Sequence, residues 1–213
     1  MAAAADDRPA ARPDGATEHY FSEAPTVRHR PGHVLVEAAG DRFGLATDAG
    51  TFSPRRLDPG TAFLLETAPP PPPHGTFLDL GCGYGPIALS LARRSPRARV
   101  VAVDVNARSR ELCAANAASL GCDNVEVAAP DEVDPAVRFD LLWSNPPIRV
   151  GKDVLHELLS RWLGRLADGG SAVLVVGRNL GADSLQRWLD ETGFPAERLA
   201  SKRGYRLLRA SRS

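Results

Sequence analysis

The sequence predicts an α/β fold, in which helices cover both faces of a mostly parallel sheet and a small β-hairpin and helix precede it. Short apolar segments alternate with helical patterns after residue 76, which is typical of parallel strands joined by helical crossovers. A run of prolines at 69–73 can be neither helix nor central strand. We therefore expect an N-terminal module at 17–68, a proline-rich linker at 69–75 and a main domain at 76–213.

The N-terminal module should follow a disordered tail at residues 1–16. Residues 1–16 are rich in Ala, Pro, Asp and Arg and lack the apolar stretch of a secretory signal. The segment 33–47 then has the pattern of two short strands around a Gly-Asp turn. A short helix should follow, with Asp58 as its N-cap and Pro59 at its first position, because that position needs no N–H donor.

The main domain should alternate between apolar strands and amphipathic or Ala-rich helices. Strands are expected at 76–80, 99–103, 124–128, 139–144, 171–176 and 205–209. Helices are expected at 86–94, 107–120, 152–167 and 182–192. The apolar side of the helix at 152–167 should consist of Val154, Leu155, Leu158, Leu159, Trp162, Leu163 and Leu166.

Composition excludes several classes of protein. No apolar run approaches the length that a bilayer requires, so we expect no membrane segment. The cysteines, Cys82, Cys113 and Cys122, are odd in number and form no CxxC pair. This argues against a disulfide framework and against a zinc site, and we expect no metal and a cytoplasmic location.

The formal net charge is zero, but the C-terminal end is basic. Residues 198–213 contain no acidic side chain and carry a basic strip made of Arg198, Lys202, Arg203, Arg206, Arg209 and Arg212. Such a strip could contact phosphates. Taken alone, however, the pattern favours a solvated edge strand that its charges keep soluble.

A glycine-rich loop follows the first strand of the main domain, in the sequence LDLGCGYGP at 78–86. Glycines allow a sharp turn and a close approach of a ligand to the backbone. A dinucleotide-binding loop would need its third glycine where Pro86 stands. The carboxylate of Asp79 would repel a pyrophosphate but suits a cationic ligand. The alternative is a tight turn between strand and helix with no ligand.

Two further carboxylates follow strand ends. Asp104 could accept hydrogen bonds from both hydroxyls of a ribose, or it could be the N-cap of the next helix. Asp131 could receive an adenine amino group, or it could belong to a solvated acidic loop.

The sequence Asn145-Pro146-Pro147 stands at the end of an apolar strand. The prolines fix the backbone and remove competing donors. The Asn145 side-chain oxygen and the Pro146 carbonyl could then accept from one amino group and aim its lone pair at an electrophile. We therefore predict that these three residues form the catalytic turn.

These motifs, taken in order, resemble the small-domain methyltransferase family, which includes bacterial rRNA guanine-N2 methyltransferases of the small-subunit type. The resemblance runs from about residue 19 to 210 through the segments FSEAPTVRH, LDLGCGYGPI, VDVN, NPPIRVGK and KRGY. It implies a seven-stranded Rossmann-like methyltransferase sheet and S-adenosylmethionine as cofactor. The residues that it assigns to the cofactor are Asp79, Gly81, Cys82, Gly83, Gly85, Asp104, Val105, Asp131 and Asn145.

The resemblance also implies a reaction: direct transfer of the methyl group to the exocyclic N2 amine of a guanine in ribosomal RNA. The partner would be ribosomal RNA or a ribosomal subunit, and the protein would be a monomer or weak dimer. Ile148 after the prolines is typical of the guanine branch, and the candidates for substrate contact are Phe52, Ile148, Arg149 and Lys152. Two alternatives remain open: methylation of a protein glutamine or small amine, and an RNA-binding or assembly factor without turnover.

Overall fold

The computed structural model describes residues 28–147 and 150–212, and its elements follow the expected order. The N-terminal elements are β1 (Gly32–Ala38), β2 (Asp41–Thr47) and α1 (Pro59–Thr67). The first half of the main domain comprises β3 (His74–Leu80), α2 (Pro86–Arg94), β4 (Arg97–Val103), α3 (Ala107–Ser119), β5 (Val125–Ala128) and β6 (Phe139–Ser144). The second half comprises α4 (Lys152–Leu163), β7 (Leu166–Gly177), α5 (Ala182–Glu191), β8 (Ala196–Lys202) and β9 (Tyr205–Ser211).

Seven strands form the central sheet, in the order β5-β4-β3-β6-β7-β9-β8. The first five of these strands run parallel, while β9 is antiparallel to both β7 and β8. β1 and β2 form a separate hairpin. The sheet therefore has the predicted seven-stranded, mostly parallel, Rossmann-like architecture, and the carboxyl ends of β3, β4 and β6 lie side by side.

Both faces of the sheet are buried, because successive side chains of its central strands are apolar. Phe77 and Trp143 belong to the apolar cluster that also contains residues of α1, α2 and the β1–β2 hairpin. Leu78 and Leu142 belong to the cluster on the other face, under α4 and α5. A strand buried on both sides reads as a continuous apolar run, which explains why the sequence pattern located these strands.

The N-terminal hairpin packs directly on the main domain. The Asn116 side chain of α3 accepts from Ala46 N at 2.8 Å and donates to Ala46 O at 2.9 Å. It also donates to Tyr84 O, in the glycine-rich loop, at 2.9 Å. Arg93 of α2 forms a two-point hydrogen-bonded ion pair with Asp41 of the hairpin. The hairpin and the loop thus share one side chain, Asn116.

The prediction for the helix at 152–167 is wrong in two respects. The helix expected at 152–167 ends at Leu163, and Leu166 instead pairs with Phe139 at the start of β7. Leu166 keeps the helical spacing, so only its pairing with β6 distinguishes the two states. Val154, expected on the apolar side of this helix, is 54% exposed.

β8 was not predicted as a separate strand. Its sequence, AERLASK, shows no apolar alternation because it lies at the edge of the sheet and neither of its faces is fully buried. The expected linker is also shorter than 69–75, since β3 begins at His74.

Candidate active site

The loops that follow β3, β4 and β6 meet at the carboxyl ends of these strands. Gly81 N and Cys82 N donate to Val103 O at 2.8 and 3.0 Å, which ties the end of β3 to the end of β4. Ser144 Oγ donates to Leu80 O at 2.6 Å, which ties β6 to β3. Ligands of open α/β sheets bind there, in the crevice outside the carboxyl ends of the strands.

The glycines of the loop have different roles. Gly81 and Gly83 have positive φ angles of 79° and 55°, and a Cβ at either position would meet no atom within 4 Å. Open space therefore lies above these two residues. A Cβ at Gly85 would instead stand 2.8 Å from Cys113 Sγ, so Gly85 permits the close packing of α2 against α3.

Asp79 lies fully buried beneath this loop. Its Oδ2 accepts from Ala88 N at 2.8 Å and so caps α2, whose N-cap residue, Gly85, has no side chain to do so. Its Oδ1 has no hydrogen-bond partner among the described residues. Burial raises the pKa of Asp79 to about 8, the charge of Asp104 raises it further, and the Ala88 N–H opposes both. A cationic group that reached Oδ1 would satisfy this atom and favour the ionised carboxylate.

Asp104 joins the glycine-rich loop to the start of α3. Its Oδ2 accepts from Gly83 N at 2.9 Å and its Oδ1 from Asn106 N at 2.8 Å. The N-cap of α3 is Asn106, which accepts from Ser109 N at 3.2 Å, so the alternative of Asp104 as N-cap is wrong. Burial raises the pKa of Asp104, and the two backbone N–H groups oppose that shift. Each carboxylate oxygen still has an acceptor site for a further hydroxyl.

Asn145 follows β6 and is held by the start of α1. Its Nδ2 donates to Asp58 Oδ1 at 2.8 Å and to Thr61 Oγ1 at 2.9 Å. None of the described residues donates a hydrogen bond to its Oδ1. Pro146 is buried and Pro147 half-buried, and neither has an N–H to compete for an acceptor.

The turn between β8 and β9 lies beside α1. Tyr205, the first residue of β9, sits so close to Gly60 that a Cβ there would be 2.8 Å from its ring. Burial raises the pKa of Tyr205, and Asp58 raises it further, while Arg56 lowers it. Arg178 N, after β7, donates to Gly204 O in the same turn at 2.6 Å. These contacts place the tip of the β8–β9 hairpin beside the start of α1, which also contacts Asn145.

Other predicted site residues have less definite surroundings. Phe52 and Val105 are 47% and 40% exposed, and Asn106 joins their loops because its Nδ2 donates to Gly50 O at 3.1 Å. Within the described part of the chain, no hydrogen bond or ion pair links the exposed Asp131 to the other site residues. Lys152 is exposed at the start of α4. Ile148 and Arg149 lie outside the described residues.

Sequence reasoning did not find the contacts of Asp58 and Thr61. Asp58 is the N-cap that the sequence predicted, with hydrogen bonds from Gly60 N and Thr61 N. Its bond to Asn145 spans 87 positions, and that of Thr61 spans 84. No local pattern signals a contact over such a distance.

A groove of about 830 Å³ lies at the other end of the strands, before β4 and β5 begin. Its lining residues include Asp41, Arg93 and Asn124. It contains none of the predicted site residues, so the polar atoms rather than the depth of a cavity identify the site. Over residues 28–147 and 150–212, no cluster of His, Cys, Asp or Glu could hold a metal ion. No helix of the same ranges is long and apolar enough to span a membrane.

Comparison with known proteins gives these features a family. The chain matches the methyltransferase small domain over residues 42–209. Ribosomal RNA small subunit methyltransferase C of Pseudomonas aeruginosa (strain LESB58) is 37% identical over 169 residues, which cover 77% of this chain and 49% of that protein. The uncharacterized protein YbxB of Bacillus subtilis (strain 168) is 34% identical over 199 residues, or 92% of this chain and 99% of YbxB.

A solved structure has the same arrangement. The T. thermophilus 16S rRNA N2 G1207 methyltransferase (RsmC), in complex with AdoMet and guanosine, superposes with a TM-score of 0.74 at 25% identity, covering 86% of this chain and 51% of that one. The chain thus spans about half the length of the rRNA methyltransferases that it matches. Because the family match extends from the hairpin to the last strand, the chain belongs to the methyltransferase small domain family and is an S-adenosylmethionine-dependent methyltransferase.

Proposed function

We propose that this chain transfers a methyl group from S-adenosylmethionine to the exocyclic N2 amine of a guanine in small-subunit ribosomal RNA. One observation carries the proposal: the side-chain oxygen of Asn145 is left as an acceptor, because both N–H groups of its amide are bound to α1. The carbonyl of Pro146 is the second acceptor. Together they would hold the two hydrogens of an amino group and direct its lone pair.

The residues around the loop fit the cofactor. Oδ1 of Asp79 is an unpaired buried acceptor suited to the ammonium of the methionine part. Gly81 and Gly83 leave room for that part, and Cys82 stands between them. The free acceptor sites of Asp104 suit the two ribose hydroxyls. We assign Val105 to the adenosine by its exposed position and Asp131 to the adenine by resemblance alone.

The bound cofactor supplies an electrophilic methyl group on a sulfonium. Asn145 and Pro146 would hold the guanine amine in line with that group, so that the N–C bond forms as the C–S bond breaks and the sulfur keeps the electron pair. The amine then loses a proton to solvent. A guanine amine has little basicity, so positioning and electrostatics must lower most of the barrier, and no covalent enzyme intermediate is needed.

The names of the similar proteins support RNA as substrate and guanine N2 as target. One is a 16S rRNA N2 G1207 methyltransferase solved with guanosine, and others are ribosomal RNA small subunit methyltransferases C. We propose Phe52, Ile148 and Arg149 for contact with the target base and Lys152 for contact with the RNA.

A basic rim supports an RNA substrate. We define it as four exposed side chains near the Asn145 edge, namely Arg56, Arg178, Lys202 and Arg203. None of the four forms an ion pair with a carboxylate within the described ranges. Cations that no carboxylate neutralises are the groups that phosphates attract.

The substrate can be identified directly. Purified protein and labelled S-adenosylmethionine are incubated with deproteinised small-subunit rRNA, with assembled subunits and with total ribosomal protein, and the products are analysed as nucleosides and amino acids by mass spectrometry. We expect N2-methylguanosine from one of the RNA samples. Label only in a protein glutamine, or cofactor binding without transfer to any sample, would support the two alternative functions and contradict the proposal.

Asn145→Ala tests the catalytic turn. We expect the single-turnover rate to fall about 10²–10³-fold, as for the loss of one oriented catalytic hydrogen-bonding group. Cofactor affinity and melting temperature should change little, because Asp58 keeps its bonds to Gly60 N and Thr61 N and α1 keeps its cap. A near-parental rate in a variant that melts and binds cofactor normally would exclude the proposed role.

A further inference from the structure

The amide of Asn145 can adopt only one of its two orientations in this environment. Its two N–H donors point at Asp58 Oδ1, 2.8 Å away, and at Thr61 Oγ1, 2.9 Å away. A flipped amide would place its oxygen against the Asp58 carboxylate, which accepts hydrogen bonds but cannot donate one when ionised. The pair of acceptors therefore decides which atom of Asn145 faces away from α1, and that atom is Oδ1.

The two acceptors are themselves held in place. Asp58 Oδ1 also accepts from Gly60 N at 2.8 Å and from Thr61 N at 3.0 Å, which caps α1. Thr61 is 3% exposed, and Gly60 packs against the ring of Tyr205 so closely that a Cβ would not fit. The first turn of α1 is thus a rigid support rather than a flexible surface group.

We propose that Asp58 and Thr61 are positioning residues for methyl transfer, which hold the Asn145 amide with its oxygen toward the target amine. The proposal rests on the proposed role of Asn145. It assigns to the N-terminal module a part in the reaction, because Asp58 and α1 lie within residues 17–68, before the main domain. The negative carboxylate on the Nδ2 side also polarises the amide, which makes Oδ1 a stronger acceptor.

Single substitutions separate this role from helix capping. Thr61→Val removes the acceptor and keeps the shape, while Thr61→Ser keeps the acceptor. Asp58→Ser keeps an N-cap hydroxyl for α1 but is too short to reach Asn145 as well. We expect kcat to fall about 2–10-fold in Thr61→Val and about 10–100-fold in Asp58→Ser, by the usual cost of a neutral and of a charged hydrogen bond.

Substrate and cofactor binding should change little in these variants. KM for the RNA and the dissociation constant for S-adenosylmethionine should stay within about twofold of the parent, and Thr61→Ser should recover most of the rate lost in Thr61→Val. Ser95→Ala is the matched control, because it removes a buried hydroxyl bonded to Pro72 O at 2.6 Å, at the other edge of the sheet. It should lower the melting temperature without lowering kcat.

A double-mutant cycle tests whether Thr61 acts through Asn145. In the Asn145→Ala background, Thr61→Val should cause no further loss of rate, because no amide remains to be oriented. A full additional loss would overturn the positioning role, as would a Thr61→Val variant with parental kcat. If instead Asn145→Ala itself keeps the parental rate, the proposed function fails first, so the two failures are distinguishable.

Discussion

Asp79 combines full burial, one hydrogen-bonded oxygen and one oxygen without a partner in the described structure. A buried carboxylate in this state is costly to ionise, and its raised pKa expresses that cost. We interpret the unpaired oxygen as a consequence of function, since the group that should satisfy it is the cationic part of the cofactor. In this proposed role, Asp79 lowers the stability of the cofactor-free protein and raises its affinity for the cofactor.

The pKa of Asp79 predicts the sign of a pH effect on stability. The folded value of about 8 lies above the ordinary value of 3.8, so the folded state holds a proton that the unfolded state has lost. The free energy of unfolding of the cofactor-free protein should therefore fall as pH rises through this window and level off above about 8. Asp79→Asn should remove this dependence. The fall in the free energy of unfolding between pH 5 and 9 should then be smaller than in the parent by at least about 1.4 kcal/mol, the equivalent of one pKa unit.

Urea unfolding at a series of pH values measures this effect. Asp41→Asn is the control, because Arg93 lowers the pKa of Asp41 and that carboxylate stays ionised throughout the range. The control should keep the parental slope. An Asp79→Asn variant with an unchanged slope would show that Asp79 is already ionised at pH 5.

Asparagine side chains join segments that are distant in the sequence. Asn106 reaches Gly50 over 56 positions, Asn116 reaches Ala46 over 70, and Asn145 reaches Asp58 over 87. An amide carries donors and an acceptor on one short group, so it can bond to a strand edge, a loop and a carboxylate alike. All three hydrogen bonds connect the N-terminal module to the part of the main domain at the carboxyl ends of the strands.

At the scale of elements, the β8–β9 hairpin divides the basic strip into two parts. Arg198 and Arg206 pair with Asp183, and Arg209 pairs with Glu197. Arg212 lies 3.8 Å from Asp168. The edge-strand interpretation therefore holds for Arg198 on β8, whereas Arg206 and Arg209 lie on β9, which pairs with both β7 and β8. Lys202 and Arg203, at the tip, pair with no carboxylate of residues 28–147 or 150–212.

RNA binding should depend on the tip and not on the strands. We expect the double variant Lys202→Ala/Arg203→Asn to weaken RNA binding and to reduce the salt dependence of log K by about 1–2, the value for two lost phosphate contacts. Asn suits the left-handed conformation of Arg203, whose φ is 47°, so the turn should survive.

The matched control is Arg198→Ala/Arg209→Ala, which removes the same charge from β8 and β9. Both variants are compared by RNA titration over a range of salt concentrations. Equal losses in the two would mean that overall charge, rather than the position of the tip, governs binding.

At the scale of the molecule, the N-terminal hairpin and the main domain share one apolar cluster. Val34 and Phe43 of the hairpin belong to the cluster that contains Phe77 and Trp143 of the sheet. The proline run at 69–73 is therefore a connection across the surface of a shared core. We propose that the module at 17–68 does not act independently of the domain at 76–213.

Asn116 tests that coupling. Asn116→Ala removes three hydrogen bonds from a buried site and leaves the backbone of Ala46 and Tyr84 without its partner. We expect a loss of about 2–4 kcal/mol in the free energy of unfolding and weaker cofactor binding, because Tyr84 belongs to the glycine-rich loop.

Asn124→Ala is the comparison, because the Asn124 side chain donates to the carbonyls of Ala92, Ser95 and Ala98, at 3.0 Å in the case of Ala98, and to neither the hairpin nor the glycine-rich loop. It should lose stability while keeping cofactor affinity. Calorimetric titration and urea unfolding measure both quantities. If Asn116→Ala binds cofactor like the parent, the hairpin does not support the loop.

The sequence by itself determined the alternation of strands and helices, the cap of α1 and the motifs at the strand ends. These features are local: a buried parallel strand is apolar throughout, a cap is a side chain beside a helix start, and a glycine-rich turn stands between a strand and a helix. Each leaves a pattern within about ten residues, which is the range over which periodicity and turn chemistry act.

Only the tertiary structure decided which strand lay at the edge, where α4 gave way to β7, and what holds Asn145. β8 lacks apolar alternation because it is the edge strand and neither of its faces is fully buried. The spacing of Leu166 fits both a helix and a strand, and only its pairing with Phe139 decides between them. The Asp58 and Asn145 side chains meet because the hairpin and α1 pack over the sheet. Such contacts depend on how distant segments pack, which spacing along one chain does not encode.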